Sequence, residues 1–481
     1  MKEPILHQLY DSQNFRKQSE RLFALVSHHL ESSISGKKQK TLNWNEPENE
    51  LRFWRDFLEK GNEEDFFSEI LNRTTHTHNP KYVGHQVGVT APITVLTGML
   101  SHLLNNGMAV YEMGMSPNAI ERIVTEKLCE TIGYGSNSGG FLTSGGTLAN
   151  LTALLSARKA KVPHDVWNEG HSHPLGIMVC EEAHYCVDRA AKIMGLGEKG
   201  IIKIPAAADF SMDIEKMEKY YQKSVSQGIH IFAIVGSAPS TATGAYDNLE
   251  AIQKFAEKYN LWFHVDGAHG GAAIFSEKYR HLLKGAEKSD SMVIDGHKMM
   301  MMPTITTALL FGNKMHANHT FSLNADYLLN ETEEDEWYNS GRRTFECTKN
   351  MMCLHWYVLL KLYGEKAFDS YVTRQYDLAK KFATTIKEET NFELAVEPMS
   401  NILCFRYVLP DMSLEESNVL NQSIRQELLE DGEFYLVQTK LNGIHYLRTT
   451  LMNPFTTIEH LESLLEKIKV SAERLLASQI S

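Results

Sequence analysis

Short apolar runs alternate with amphipathic helical segments between residues 176 and 296, and this alternation limits the possible folds strongly. The strand-like runs are GIMVCEEA (176–183), IHIFAIVGSA (229–238), LWFHVDGA (261–268) and SMVIDG (291–296). The segments between them, such as DNLEAIQKFAEKYN (247–260), have helical periodicity. This pattern predicts an α/β fold, with a mostly parallel sheet covered by helices on both faces. In such sheets ligands bind at the carboxyl ends of the strands.

Three regions of the chain differ in pattern. Residues 1–75 are rich in charge and have helical periodicity, which predicts a helical arm that packs on a partner subunit. Residues 76–345 contain the strand and helix alternation, and we expect them to form a large domain. Residues 346–481 combine a long helical stretch with three strand-like runs, which predicts a small α+β domain at the C-terminus.

Charge and cysteine content narrow the candidate partners. The 481 residues carry a formal net charge of −12 without a basic stripe, so we expect neither nucleic acid nor a membrane as a partner. No apolar run approaches the ~18 residues of a membrane span, and the first residues lack the apolar segment of a secretion signal. The six cysteines form no C-x-x-C pair, as expected of reduced thiols in the cytoplasm. No metal site is predicted, because no cluster has metal-ligand spacing.

An acidic and a basic residue stand at the ends of two neighbouring strand-like runs. Asp266 ends LWFHVD, where a buried carboxylate needs a cationic partner. Lys298 follows SMVIDGH, where partial desolvation is expected to lower its pKa and favour the neutral amine. A carboxylate for a pyridinium nitrogen and an amine that bonds to an aldehyde are the groups that pyridoxal 5'-phosphate (PLP) requires. Together the two residues predict a PLP site.

A turn of glycines and hydroxyl residues in FLTSGGTLANLTALLSARKA (141–160) opens a strong helix. The backbone N–H groups of such a turn, with the hydroxyls of Ser144 and Thr147, predict an anion site. Gly146 and Thr147 lie nearest the first helical turn, so they are the favoured phosphate contacts. Ser291 and His297, both close to Lys298 in the sequence, are further candidates for the same phosphate.

Three other residues are candidates for contacts with the cofactor ring. His184 follows a strand-like run and has an imidazole that can stack on a pyridine ring. Ala268, two residues after Asp266, presents a small side chain. Thr241, in the loop GSAPSTATG, is a candidate hydrogen-bond partner for the ring oxygen. A histidine with a purely structural role and a threonine in a turn are the plain alternatives.

Motifs over almost the whole chain resemble the group II PLP-dependent amino-acid decarboxylases, which include the aromatic, glutamate and 2,4-diaminobutyrate types. The motifs are HNPKYVGH (78–85), SPNAIE (116–121), TSGGTLANLTALLSAR (143–158), AHYCVDRAAKIMGLG (183–197), HVDGAHGG (264–271), DSMVIDGHK (290–298) and LRTTLMNPFTT (447–457). The resemblance implies the aspartate-aminotransferase fold (fold type I). It also implies an obligate homodimer with its active sites at the subunit interface, and conversion of an L-amino acid to an amine and CO2.

The resemblance also implies a role for each matching residue. Lys298 would bind the coenzyme covalently, Asp266 would pair with the pyridinium nitrogen, and His184 and Ala268 would lie on opposite faces of the ring. The phosphate would be held by Gly146, Thr147, Ser291 and His297, and the ring oxygen by Thr241. The substrate contacts would be His85, Gln86 and Arg448, with Arg448 on the carboxylate.

The chain departs from the family pattern at residues 329–340, where these decarboxylases carry a mobile loop with a tyrosine that protonates the substrate carbon. The stretch is short and acidic here, and Tyr338 is its only candidate proton donor. The acidic run 331–336 hints at a basic substrate such as 2,4-diaminobutyrate, although such a run is ordinarily a solvated loop.

Three alternatives to simple decarboxylation remain open. Without a prompt proton donor, the carbanion can react with oxygen, so that decarboxylation is accompanied by oxidative deamination to an aldehyde. Carbon–carbon or carbon–sulfur lyase chemistry is possible on the same fold. A protein that keeps the fold only as a scaffold would bind no PLP.

Overall fold

The computed structural model describes residues 4–37, 40–321 and 336–480. Its strands are β1 (Gly139–Thr143), β2 (Leu175–Cys180), β3 (Ile201–Ile204), β4 (His230–Ser237), β5 (Trp262–Asp266), β6 (Ser291–Asp295), β7 (Thr307–Phe311), β8 (Phe392–Leu394), β9 (Ile402–Tyr407), β10 (Val437–Leu441) and β11 (Ile444–Thr450). Its α-helices are α1 (Pro4–Leu9), α2 (Ser12–Ile34), α3 (Pro47–Lys60), α4 (Phe66–Arg73), α5 (Pro92–Leu104), α6 (Tyr111–Gly114), α7 (Ser116–Ile132), α8 (Gly146–Lys161), α9 (Val166–Glu169), α10 (Tyr185–Ile193), α11 (Met217–Ser226), α12 (Leu249–Tyr259), α13 (Met315–His319), α14 (Cys353–Tyr363), α15 (Glu365–Glu388), α16 (Leu414–Asp431) and α17 (Ile458–Ile480).

Seven strands form the larger sheet, in the order β1-β7-β6-β5-β4-β2-β3. The pairs from β6 to β3 are parallel, whereas β7 runs antiparallel to both β6 and β1. Strands β5 and β6 are buried along their whole length, as expected of parallel strands that helices cover on both faces. The predicted mostly parallel sheet is therefore confirmed. The antiparallel strands β1 and β7 were not predicted from the sequence.

Local sequence signals explain where the helices around this sheet begin and end. Helix α12 begins after Asn248, whose side chain accepts a hydrogen bond from the backbone N–H of Ala251, and it ends at Asn260 in the left-handed region. Helix α8 begins directly after Gly145, which has φ +103°. A side chain is strained at that angle, so the glycine is required where the chain turns from β1 into α8.

The chain divides into two compact units. The larger unit comprises the described residues of 86–383 together with 396–403, and the smaller unit comprises those of 1–85, 384–395 and 404–481. Residues 346–383 thus belong to the larger unit and residues 76–85 to the smaller one. The domain boundaries predicted at residues 75 and 345 stay predictions.

A four-stranded sheet in the order β10-β11-β9-β8 follows the large sheet in the chain. The pairs β10/β11 and β8/β9 are antiparallel. Helix α16 begins with a capping box, in which Ser413 and Glu416 satisfy each other's backbone N–H groups. The three strand-like runs predicted in this part of the chain correspond to β9, β10 and β11, so the small α+β module is confirmed.

The N-terminal region is helical, as predicted, and contains α1 to α4. Its packing against a partner subunit stays a prediction. Across the ranges that the structure describes, no helix is both long enough and apolar enough to cross a membrane.

Candidate active site

A cavity of about 270 Å³ opens at the carboxyl ends of β4, β5 and β6, within the larger unit. It also meets the first turns of α8 and α10, because parallel strands and the helices that follow them bring these ends to one edge of the sheet. The cavity is lined by Ser144, Gly145, Gly146, Thr147, Asn150, His184, Cys186, Pro239, Thr241, Asp266, Ala268, His269, Asp295, His297, Lys298 and Ile305. Most of the residues predicted to bind the cofactor are therefore together in one place.

Lys298 forms an ion pair with Asp295 at the floor of the cavity. Its Nζ lies 2.9 Å from Asp295 Oδ2, and the other carboxylate oxygen accepts a 2.6 Å hydrogen bond from Thr307 Oγ1. The Asp295 side chain is only 1% exposed. Despite burial, the cation of Lys298, the neighbouring His297 ring and the hydroxyl of Thr307 lower the pKa of Asp295, so that it is ionised.

The ion pair reverses the expected direction of the pKa shift at Lys298. Burial alone lowers the pKa of this amine, but the carboxylates of Asp295 and Asp266 outweigh burial and raise it. The expectation of a lowered pKa was wrong because the sequence does not show which charge lies beside the lysine. Without a ligand, Lys298 is therefore held as a cation.

Asp266 ends β5 and lies on the cavity wall, 8% exposed. Its Oδ1 accepts a 3.2 Å hydrogen bond from the backbone N–H of Ala268. The side chain of Ala268 lines the same cavity. A carboxylate at this depth is suited to pair with a cationic ring nitrogen.

The glycine turn before α8 lies at the cavity, but not all the donors that the sequence suggests are available for an anion. A Cβ added to Gly146 would lie 3.0 Å from Asp295 Oδ2 and 3.4 Å from Ala268 Cβ, so the wall is closely packed here. The backbone N–H and hydroxyl of Ser144 are both bonded to Glu346 Oε1, at 3.0 and 2.7 Å. The Ser144 hydroxyl therefore donates to Glu346 rather than to an anion, although Ser144 lines the cavity together with Gly146 and Thr147.

Three histidines line the cavity, and two of them, His184 and His297, are predicted cofactor contacts. His184 caps α10, its Nδ1 accepting a 3.3 Å hydrogen bond from the backbone N–H of Cys186. Burial lowers the pKa of His184, so the ring is neutral and can stack on a flat ligand. His297 Nδ1 lies 3.1 Å from the backbone oxygen of Thr306, which fixes the orientation of its ring.

Thr241 also lines the cavity, whereas Ser291 does not. Ser291 begins β6 and Asp295 ends it, so the two are separated by about 13 Å along the strand. The Ser291 hydroxyl is fully buried and is bonded to Trp262 and His264. Direct contact between Ser291 and the phosphate is therefore wrong, because the cavity lies at the opposite end of the strand.

The remaining predicted residues lie away from this cavity or in the smaller unit. Tyr338 does not line it, and its ring packs 5.7 Å from the ring of Tyr111. Gln86 is not among the lining residues either. His85 and Arg448 belong to the smaller unit. Partial burial lowers the pKa of His85, and the charges of Arg448 and Arg425 lower it further. Residues 331–335 of the acidic run lie outside the described residues.

Sequence reasoning missed Asp295, Glu346 and Asn150. Asp295 carried a usable signal, since it ends a buried apolar run as Asp266 does. Glu346 had no comparable signal, because it bonds to Ser144 across 202 residues of sequence. Asn150 lies inside the predicted helix, four residues after Gly146. Neither its residue type nor its position in the helix indicates a role in the site.

Comparison with known proteins identifies the family. A sequence model of the pyridoxal-dependent decarboxylase conserved domain matches residues 59–408. L-2,4-diaminobutyrate decarboxylase of Acinetobacter baumannii is 28% identical over 423 residues, which cover 84% of this chain and 82% of that protein. The acidic amino acid decarboxylase GADL1 of Xenopus tropicalis is 26% identical, covering 96% of this chain and 93% of that protein.

A solved structure agrees with both the sequence match and the fold. The glutamate decarboxylase domain of diaminobutyrate-pyruvate transaminase and L-2,4-diaminobutyrate decarboxylase from Vibrio parahaemolyticus superposes with a TM-score of 0.80 at 26% identity. The match covers 94% of this chain and 96% of that chain. The chain belongs to the pyridoxal-dependent decarboxylase family. It is a PLP-dependent amino-acid decarboxylase of fold type I, as the resemblance implied.

The cavity residues fit PLP. A lysine, a buried carboxylate, a neutral imidazole and a helix N-terminus surround one space of about 270 Å³. These groups match the aldehyde, ring nitrogen, ring face and phosphate of the coenzyme in chemical type. The donor set therefore supports this cavity as the coenzyme site.

Replacing Asp295 by asparagine is expected to lower the pKa of Lys298, because the amine then loses its nearest anion while it stays buried. A larger fraction of Lys298 is then neutral at any pH below its pKa. The pH profile for recombination of apoenzyme with PLP, followed by absorbance, should move to lower pH. An unchanged midpoint in Asp295→Asn would contradict the ion pair.

Proposed function

We propose that this chain decarboxylates an L-amino acid in the cavity that contains Lys298 and Asp266. When bound, PLP supplies the electron sink for the pair of electrons left by the departing CO2. The observation that carries this proposal is the presence of Lys298, Asp266 and the turn at Gly146 around a single cavity. Lys298 would bind the coenzyme aldehyde, and Asp266 would hold a proton at the ring nitrogen.

The other cavity residues would hold the coenzyme in place. Gly146, Thr147 and His297 would bind the phosphate, and Thr241 would bond to the ring oxygen. His184 and Ala268 would pack against the two faces of the ring. This assignment is supported by the position of all six residues on the cavity wall.

We propose a basic amino acid, with L-2,4-diaminobutyrate as the first candidate, as the substrate. The name of the relative from Acinetobacter baumannii and the acidic run 331–336 support it. The name of the relative from Xenopus tropicalis favours an acidic substrate instead. A panel of L-amino acids assayed for CO2 release decides between them: kcat/KM highest for aspartate or glutamate would overturn the basic substrate.

The product requires a separate test because Tyr338 does not line the cavity of its own chain. We propose the amine as the product, with a proton donor other than Tyr338 of the same subunit. Assays for amine and peroxide on the same reaction distinguish the alternatives. Stoichiometric peroxide without amine would show the aldehyde-forming reaction, and product without CO2 would show lyase chemistry.

Arg448 is proposed to bind the substrate carboxylate, with His85 and Gln86 as pocket residues. Arg448 is 6% exposed on β11, and burial lowers its pKa, so a bound anion would stabilise its charge. Arg448→Met keeps the length of the side chain and is expected to raise KM roughly tenfold or more. Arg406→Met is the control, because it removes an arginine from β9 of the same sheet. An equal KM in both variants would contradict the assignment.

A homodimer is proposed on the basis of an apolar helix face. Helix α5 leaves six large apolar side chains between 48% and 62% exposed: Val95, Leu96, Met99, Leu100, Leu103 and Leu104. This helix lines a second cavity of about 920 Å³ that shares Ser144 and Ile305 with the coenzyme cavity. Exposed apolar faces of this kind ordinarily mark an interface. A second copy on this face would complete the wall of the coenzyme site.

Leu100→Glu is expected to convert the dimer to a monomer, because the new carboxylate would be buried in the apolar interface without a partner. Sedimentation velocity measures the change in mass, and the coenzyme content should fall with it. Val225→Glu, on the exposed surface of α11, is the control. A dimeric Leu100→Glu protein would exclude the α5 face as the interface.

We also propose that the protein works in the cytoplasm. None of the six cysteines forms a disulfide bond, and five of them are buried. Thiols without disulfide bonds are usual where the environment is reducing. Fractionation of cells that express the protein tests this location.

A further inference from the structure

A chain of hydrogen bonds runs beneath the coenzyme cavity from Trp262 to Gly146. Trp262 Nε1 donates to Ser291 Oγ over 2.9 Å, and the same oxygen lies 2.8 Å from His264 Nδ1. His264 Nε2 lies 2.7 Å from Asn150 Oδ1. Asn150 Nδ2 donates to the backbone oxygen of Gly146 over 2.9 Å. The four side chains are each at most 1% exposed, so water does not compete with these bonds.

The chemistry of the two ends fixes the direction of every bond in this chain. The indole can only donate, so Ser291 Oγ accepts from Trp262. The carbonyl of Gly146 can only accept, so Asn150 turns its NH2 toward it and its oxygen toward His264. His264 Nε2 therefore carries the hydrogen. Burial lowers the pKa of His264 to about 4, so the ring is neutral and its Nδ1 accepts from the Ser291 hydroxyl.

The hydrogen-bond chain reaches the cavity wall at Asn150 and Gly146. His264 lies two residues before Asp266 on β5, about 6.6 Å along the strand and on the same face. Asn150 lies on the cavity wall and also donates to Cys186 Sγ over 3.4 Å, in the first turn of α10. One amide side chain thus joins the starts of α8 and α10 to the strand that carries Asp266.

We propose that His264 and Asn150 are positioning residues that fix Gly146, and with it the backbone N–H groups of the phosphate cradle. The inference rests on the proposed binding of the phosphate at Gly146 and Thr147. Ser291 then serves the cradle indirectly, by holding the His264 ring in one tautomer. Because every donor in the chain has one acceptor, removal of a single member leaves a buried polar group without its partner.

The test compares apoenzyme binding of PLP with binding of pyridoxal, which has the same ring and aldehyde but no phosphate. Absorbance titration gives Kd for each. Asn150→Leu is expected to raise Kd for PLP about tenfold, the equivalent of one buried hydrogen bond. Its Kd for pyridoxal should stay within about twofold of wild type, because the bonds made by ring and aldehyde are intact.

Two substitutions of His264 separate positioning from packing. The amide of glutamine reaches about as far as Nε2 and can donate to Asn150, whereas that of asparagine reaches only the position of Nδ1. We expect His264→Gln to retain more of the preference for PLP over pyridoxal than His264→Asn. Ser156→Ala is the control on the same helix, because its buried hydroxyl bonds to Thr152 and Thr320, outside the chain. Melting temperatures show whether each variant is folded.

The outcomes distinguish this inference from the function on which it rests. A wild-type protein that binds PLP no more tightly than pyridoxal would refute the phosphate cradle itself. If wild type prefers PLP over pyridoxal and Asn150→Leu keeps that preference, the positioning role is overturned. It is also overturned if His264→Gln and His264→Asn lose the preference equally. If Asn150→Leu does not fold, the comparison of His264→Gln with His264→Asn decides alone.

Discussion

Lys298→Ala is expected to lower kcat by at least roughly 10⁴-fold, because it removes the amine that bonds to the coenzyme. It should also remove the absorbance of the lysine-bound coenzyme. Lys298→Arg keeps the cation beside Asp295 but cannot form the covalent bond, so it should be equally inactive while melting near wild type. If both variants are inactive and Lys298→Arg is folded, the activity is lost because the covalent bond is missing and not because the ion pair is missing.

Borohydride reduction followed by peptide mapping locates the bond directly. The reduced adduct should be found on the peptide that contains Lys298 in wild type and on no lysine in Lys298→Ala. Lys203→Ala is the matched control, because Lys203 is also a partly buried lysine paired with a carboxylate, Asp188, at 2.5 Å. An adduct on another lysine of wild type, or full activity of Lys298→Arg, would refute the assignment.

The parts of this site that the sequence predicts are those fixed by strand topology. Buried parallel strands are continuous apolar runs, so β5 and β6 are visible in the sequence together with the residues that end them. Because both strands end at the same edge of the sheet, Asp266 and Lys298 had to come close. The glycine turn before α8 was predicted instead from its residue types and from the helix that follows it.

The features of the site that the sequence does not predict are of two kinds. Some depend on a contact between residues that are distant in the sequence, and others depend on the position of a residue along a strand. Glu346 takes the Ser144 donors, and Asp295 reverses the pKa shift of Lys298; neither effect is visible in residue type alone. Ser291 was misassigned because closeness to Lys298 in sequence was taken as closeness in space. A strand of five residues separates its two ends by more than the reach of a serine side chain.

Asp266→Asn is expected to lower kcat on the order of 10³-fold, because a neutral amide cannot hold a proton on the coenzyme ring nitrogen. The cavity offers that nitrogen no substitute from Asp295, whose carboxylate is already bonded to Lys298 and Thr307. Coenzyme binding should weaken less than kcat, because the covalent bond and the phosphate cradle are unchanged. Absorbance titration and steady-state kinetics on the same protein measure the two effects.

A coenzyme that carries a permanent positive charge on the ring nitrogen distinguishes this role from a structural one. PLP methylated at that nitrogen needs no carboxylate to keep its charge, so it should restore part of the activity of Asp266→Asn. Asp247→Asn is the control: Asp247 is also buried, accepts backbone N–H bonds from Ser237 and Met212, and lies outside the cavity lining. Asp247→Asn should reduce the stability of the protein, and the methylated coenzyme should not raise the activity of this variant. Equal rescue of both variants, or of neither, would show that Asp266 acts on the fold rather than on the ring nitrogen.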